Sequence, residues 1–197
     1  MPHDYEVGLF FHILGVFGIA GGATAFLVCL SLVRRAKTVQ ELRIAAGAAA
    51  IIDKLIPVSA LVLLASGGYV VHAEGLDFGS GWINASATAL IIAIVVGYLI
   101  NGRRTESLAK AARAAPDGPV PTALAAKVTD PLLFGTTHAL TLMILAIIWN
   151  MTTKPGTGEA WTAIILAVVI GAGSAMPMVS RQKAILTGTQ PQPASSE

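Results

Sequence analysis

Gly8 to Arg35 reads GLFFHILGVFGIAGGATAFLVCLSLVRR, and no Asp, Glu, Lys or Arg interrupts it before the closing Arg34-Arg35 pair. A helix rises about 1.5 Å per residue, so Gly8 to Val33 is long enough to cross roughly 30 Å of hydrocarbon. The flank ahead of it, Met1-Pro2-His3-Asp4-Tyr5-Glu6, carries acid rather than base. With no small-residue cleavage site before the arginines, the stretch reads as a membrane span and not as a secretory leader.

Four more apolar blocks follow, at about Leu55–Ala73, Trp82–Asn101, Pro131–Met151 and Ala160–Ser180. The expected fold is therefore all-α: a polytopic membrane bundle of five transmembrane helices, forming one domain over residues 1–183. Residues 184–197, ending Gln190-Pro191-Gln192-Pro193, read as a disordered cytoplasmic tail. Composition agrees, because 12% charged residues beside 54% hydrophobic is too little charge to cover a soluble surface. Trp82, Tyr98, Trp149 and Trp161 fall near span ends, where amphipathic rings settle among headgroups. The lone Cys29 cannot form an internal disulfide, and a net charge of +2 gives no reason to expect nucleic acid.

Orientation follows from the basic residues. Of 13 Lys and Arg, only Lys154 falls outside the segments joining spans one to two and three to four and the tail. Short basic segments stay in the cytoplasm, so the N-terminus is expected outside and the C-terminus inside a bacterial plasma (inner) membrane. Val39 to Ile52, rich in Ala, predicts a helix that starts in the cytoplasm and continues into the second span. Thr105 to Thr129, with Pro116-Asp117-Gly118-Pro119, reads as a soluble loop unable to form a packed domain. Asp130-Pro131 reads as the cap and first residue of span four, and Lys154-Pro155 as its exit. Asp53 and Lys54 read as interface residues at the inner end of span two.

Polar groups at membrane depth are costly and mark functional candidates. His12 lies about 7 Å inside the outer end of span one, His72 closes span two on the same side, and His138 lies about 10 Å above the inner boundary. His12 shares a helical stripe with Gly8, Gly15, Ile19 and Gly22; His72 shares one with Leu61, Ala65 and Gly68. Small residues let helices approach closely and also leave room for a flat macrocycle. Two imidazoles at similar depth are the usual axial pair of a b-type haem, which points to His12 and His72, with Gly15 and Gly68 beside the macrocycle. His138 differs from His12 by roughly 12 Å in depth and needs strong helix tilt to share an iron. Each histidine also has an ordinary reading, as a group bonded to water, headgroups or a neighbouring helix.

A looser set on the outer face, His3, Asp4, Glu6, His72, Glu74, Asp77 and Glu159, offers nitrogen and carboxylate ligands without a diagnostic spacing. Gly18 and Gly22 match GxxxG, a packing signal. No acidic residue stands mid-membrane in this reading to couple ions, which places ion-coupled transport below the other possibilities.

The runs Phe11-His12-Ile13-Leu14-Gly15-Val16-Phe17-Gly18, Trp82-Ile83-Asn84-Ala85-Ser86 and Asn150-Met151-Thr152-Thr153-Lys154-Pro155 carry a resemblance. From about Leu9 to Pro155 the chain resembles a family of bacterial integral membrane proteins defined as a domain of unknown function. The first-span histidine followed by Gly21-Gly22 is also distantly similar to copper-resistance D-type membrane proteins and to haem-binding membrane protoporphyrinogen oxidases. The latter resemblance implies a haem-ligand role for His12. The leading expectation is b-type haem near the outer leaflet, serving electron transfer or a membrane redox complex. A cofactor-free accessory, assembly or transport protein is the alternative, and outer-face metal handling the third. Expected partners are the lipid bilayer and either other membrane subunits or a second copy of the chain.

Overall fold

The computed structural model describes residues 4–177 and Ala184. The chain forms helices α1 (Asp4–Arg35), α2 (Val39–Ala73), α3 (Gly81–Val96), α4 (Arg103–Ala114), α5 (Thr122–Val128), α6 (Pro131–Thr153) and α7 (Thr157–Gly173). A π-helical segment, Gly97–Gly102, joins α3 to α4 without a break. Among the described residues there is no strand, so the all-α bundle stands. Tyr5–Arg35, Val39–Ala73, Gly81–Ala114 and Thr122–Thr153 are long and apolar enough to cross a membrane, and Thr157–Gly173 is a shorter apolar helix. His3 and the tail beyond Ala184 lie outside the described residues, as do the last residues of the fifth expected span.

Large apolar side chains cover the outside of the helices: Phe17 is 73% exposed and Ile170 62%. Such a surface suits lipid rather than water.

α1 and α2 form an antiparallel hairpin interlocked through glycine. A Cβ on Gly15 would come within 2.9 Å of the Leu63 backbone, and one on Gly22 within 2.9 Å of Ile56 Cγ1. Gly8 meets Tyr69 and Gly18 meets Ser59 in the same way. The α1 stripe of Gly8, Gly15, Ile19 and Gly22 is thus a helix-packing face. Its counterpart on α2 is Ile56, Ser59, Leu63 and Gly67, whereas Leu61, Ala65 and His72 of the other stripe are exposed. The close fit leaves no slot for a macrocycle between these two helices, contrary to the expectation that Gly15 borders one.

α2 starts where expected, with Thr38 as its cap: Thr38 Oγ1 accepts from the Glu41 N–H at 3.3 Å. The segment 105–129 differs from the loop expected there. Leu108, Ala109 and Ala112 of α4 bury against Leu42, Ala45 and Ala46 of α2, with Leu124 and Val128 of α5 completing the cluster. Small alanines on both faces bring the helices close enough for short side chains to form a core. Arg43 fastens the end of α4, donating from Nε to the Ala112 carbonyl (3.3 Å) and from Nη2 to the Ala115 carbonyl (3.1 Å), and it pairs with Asp117 at 3.2 Å. The Pro-rich run is stitched down as well, through Val39 N–H to the Gly118 carbonyl and Val120 N–H to the Lys37 carbonyl.

α6 and α7 form a second antiparallel pair, in which Gly171 sits directly on the Ala139 backbone. Asp130 caps α6 as expected, its Oδ1 accepting from Leu132 N–H at 3.0 Å and Leu133 N–H at 3.4 Å, and it pairs with Arg104. Lys154 ends the helix in the left-handed region at φ 50°. Asn150, fully buried, donates to the Ala160 carbonyl at 3.3 Å and ties the two helices together.

Candidate functional site

A cavity of about 350 Å³ opens near the end of the bundle that carries His12, between the α1–α2 hairpin and helices α3 and α6. Its walls are almost wholly apolar. Leu63, Val71, Leu90 and Ile147 form much of them, with Phe78 and Trp82 near the loop between α2 and α3. The volume falls within the range of about 300–1,000 Å³ typical of small-molecule sites. Among the residues lining it there is no Asp, Glu, Lys, Arg or Cys.

His12 belongs to the α1 face that meets α2, four residues after Gly8 and three before Gly15, so its imidazole is directed at that helix. Room for the ring comes from Gly67: a Cβ there would stand 3.0 Å from His12 Cε1 and 3.2 Å from Nδ1. His12 Nδ1 is buried without a well-aligned hydrogen bond, and the Leu63 backbone carbonyl is the polar group that the imidazole meets. Ser86 Oγ, on the α3 wall of the same cavity, is also buried without a hydrogen bond. Leaving a polar group buried and unpaired costs about 1–3 kcal/mol, and both atoms lie behind the walls of this one cavity.

The remaining candidates lie elsewhere. Gly68 lines the cavity and has open space around its Cα, but Gly15 is closed by Leu63. His72 is exposed in the last turn of α2 and does not line the cavity. Five residues past Gly67 amounts to a turn of about 140° around the helix axis, which takes His72 off the face that meets His12. His138 has a structural partner: its Nδ1 lies 2.8 Å from Ser174 Oγ across the α6–α7 seam, toward the other end of the bundle. Among the described residues no three His, Cys, Asp or Glu side chains gather closely enough to hold a metal ion. His3 and the Asp4 side chain of the outer-face set lie outside the description.

Gly67, Ser86 and Met151 also line the cavity; in the sequence Gly67 reads as part of a small-residue packing surface, Ser66-Gly67-Gly68, and the other two only as members of the runs that carry the family resemblance. The signal for Ser86 was present, since Trp82, Ile83, Ser86, Ala87 and Leu90 repeat at helical spacing. Gly67 and Met151 needed the pairing of helices to be known.

No curated protein and no solved structure matches the chain. A family model does match, over residues 7–155, the part of the chain that holds α1 through α6 and every wall of the cavity. By that match the chain belongs to the family described as predicted integral membrane protein, DUF2269.

Proposed function

We propose that this integral membrane protein binds b-type haem in the cavity beside His12, with the His12 imidazole as iron ligand, and that it serves one-electron transfer within a membrane redox complex. The observation that carries this reading is the His12 imidazole standing on the wall of an otherwise apolar cavity. An imidazole is the usual axial ligand of haem iron, through its Nε2, and apolar walls suit the faces of a porphyrin. Bound haem would supply the one-electron chemistry. The chain's own part is to hold the imidazole between Gly67 and α1 and to keep water away with Leu63, Leu90 and Ile147.

His72 enters this reading only as a surface residue. The basic residues further support an orientation in a bacterial inner membrane with the N-terminus outside, which puts the cavity in the outer half of the bilayer. The test is haem content. Protein purified after haem-replete expression should carry stoichiometric haem by the pyridine haemochrome assay, and folded protein without haem would refute the proposal.

A further inference from the structure

We propose that Asp53 is the carboxylate of a second site, near the opposite end of the bundle from His12, which takes up a single monovalent cation, the proton included. Asp53 lies within the continuous helix α2, twenty residues before its end at Ala73, or about 30 Å along the axis. That places it at the inner edge of the hydrophobic layer, half-buried. It is more than an interface residue: it lines a pocket of about 50 Å³ whose other polar residues are Asn101, Thr137 and Thr141, the rest of the lining being apolar, Phe26 and Pro57 included. One water needs roughly 10–15 Å³ of such space, so the pocket has room for one small ion with a water, or for a short water chain.

Three independent features converge on this pocket. First, Asp53 has no hydrogen bond or ion pair among the described residues. Lys54, the charged neighbour that acts on it, is turned to Glu106 at 3.7 Å. Second, the backbone is opened on both sides. Pro57 has no N–H, so the Asp53 carbonyl loses its helical donor, and across from it α3 changes to π-helix over Gly97–Gly102. Such π segments are frequent at functional sites. Gly102 lets the carboxylate approach, since a Cβ there would stand 3.2 Å from Asp53 Oδ2. Third, a polar network shares the pocket: Asn101 donates from Nδ2 to Thr137 Oγ1 at 3.2 Å, and its Oδ1 accepts from Thr136 Oγ1 at 2.5 Å.

No charged residue lines the pocket from α1, the π segment or α6, and Glu106 of α4 is engaged with Lys54 and Lys110. An unpaired, half-buried carboxylate at the edge of the hydrophobic layer is stabilised by neutralisation, through a bound cation or through its own proton. Hydroxyl and amide oxygens at that position suit either.

The experiment is labelling of the full-length protein in detergent with dicyclohexylcarbodiimide, an apolar reagent that modifies protonated carboxyls in membranes, followed by peptide mass spectrometry. At about pH 6 in choline chloride, Asp53 should be modified several-fold more than exposed Asp77 and Glu159, and the yield should fall toward about pH 8.5. Suppression by NaCl or KCl at equal ionic strength identifies a metal cation as the occupant; dependence on pH alone identifies the proton. Labelling of Asp53 no greater than that of Asp77 and Glu159 under every condition would overturn the site. Neither outcome depends on haem, because the pocket and the reagent do not involve His12.

Discussion

Gly67 of α2 lies against the imidazole of His12, so closely that a Cβ at position 67 would stand 3.0 Å from Cε1. The ring would have to give by a few tenths of an ångström to admit a methyl group. Gly67→Ala is therefore expected to lower haem retention severalfold. It should barely change stability, because alanine is favoured over glycine in a helix by about 1 kcal/mol. Haem content and melting temperature, measured on one preparation, check both halves.

Gly15 and Gly21 lie on the same helix but have different surroundings. A Cβ on Gly15 runs into Leu63 backbone atoms at 2.9 Å, whereas one on Gly21 meets nothing within 4 Å. Backbone cannot step aside as a side-chain tip can. Gly15→Ala should destabilise by about 1–3 kcal/mol, and Gly21→Ala should be neutral or stabilising by up to about 1 kcal/mol. Thermal unfolding in detergent separates the two.

The same pair shows how far the sequence could be read. Hydropathy located the membrane helices because each is a long run of apolar residues, and the cap at Asp130 followed from local chemistry. Helical spacing also grouped Gly8, His12, Gly15, Ile19 and Gly22 on one face of α1. It could not say which α2 face answers that stripe, and both candidate faces contain small residues. The bundle uses Ile56, Ser59, Leu63 and Gly67, which turns His72 outward and closes Gly15. The α4–α5 cluster was hidden for a related reason, since its core is built from alanines that read as neutral until α2 is laid across them. Asp53 resembled an interface residue because the polar residues that share its pocket, Asn101 and Thr137, are far away in the chain.

Arg43 holds the end of α4 through two carbonyls and Asp117. Replacing it with Met keeps the apolar stem and removes the donors. Hydrogen bonds from charged groups contribute about 1.5–3 kcal/mol when shielded, and less with the partial exposure here, so a loss of about 1–2 kcal/mol is expected. Limited proteolysis should then cut faster within residues 116–121, while haem content stays unchanged.

Orientation gives a further prediction. A fluorescent protein fused after Glu197 should fluoresce, and alkaline phosphatase fused there should be inactive, if the C-terminus faces the cytoplasm. The reverse pattern would move the His12 cavity to the inner half of the bilayer without altering its chemistry.

The central claim is that His12 ligates haem iron. Its most direct test is the dithionite-reduced minus oxidised absorption spectrum of the purified wild-type protein beside His12→Ala and His72→Ala. Soret and alpha bands are expected in the wild type, retained in His72→Ala and lost in His12→Ala at unchanged fold. Bands that survive His12→Ala and vanish in His72→Ala, or a folded wild type with no bands, would contradict it.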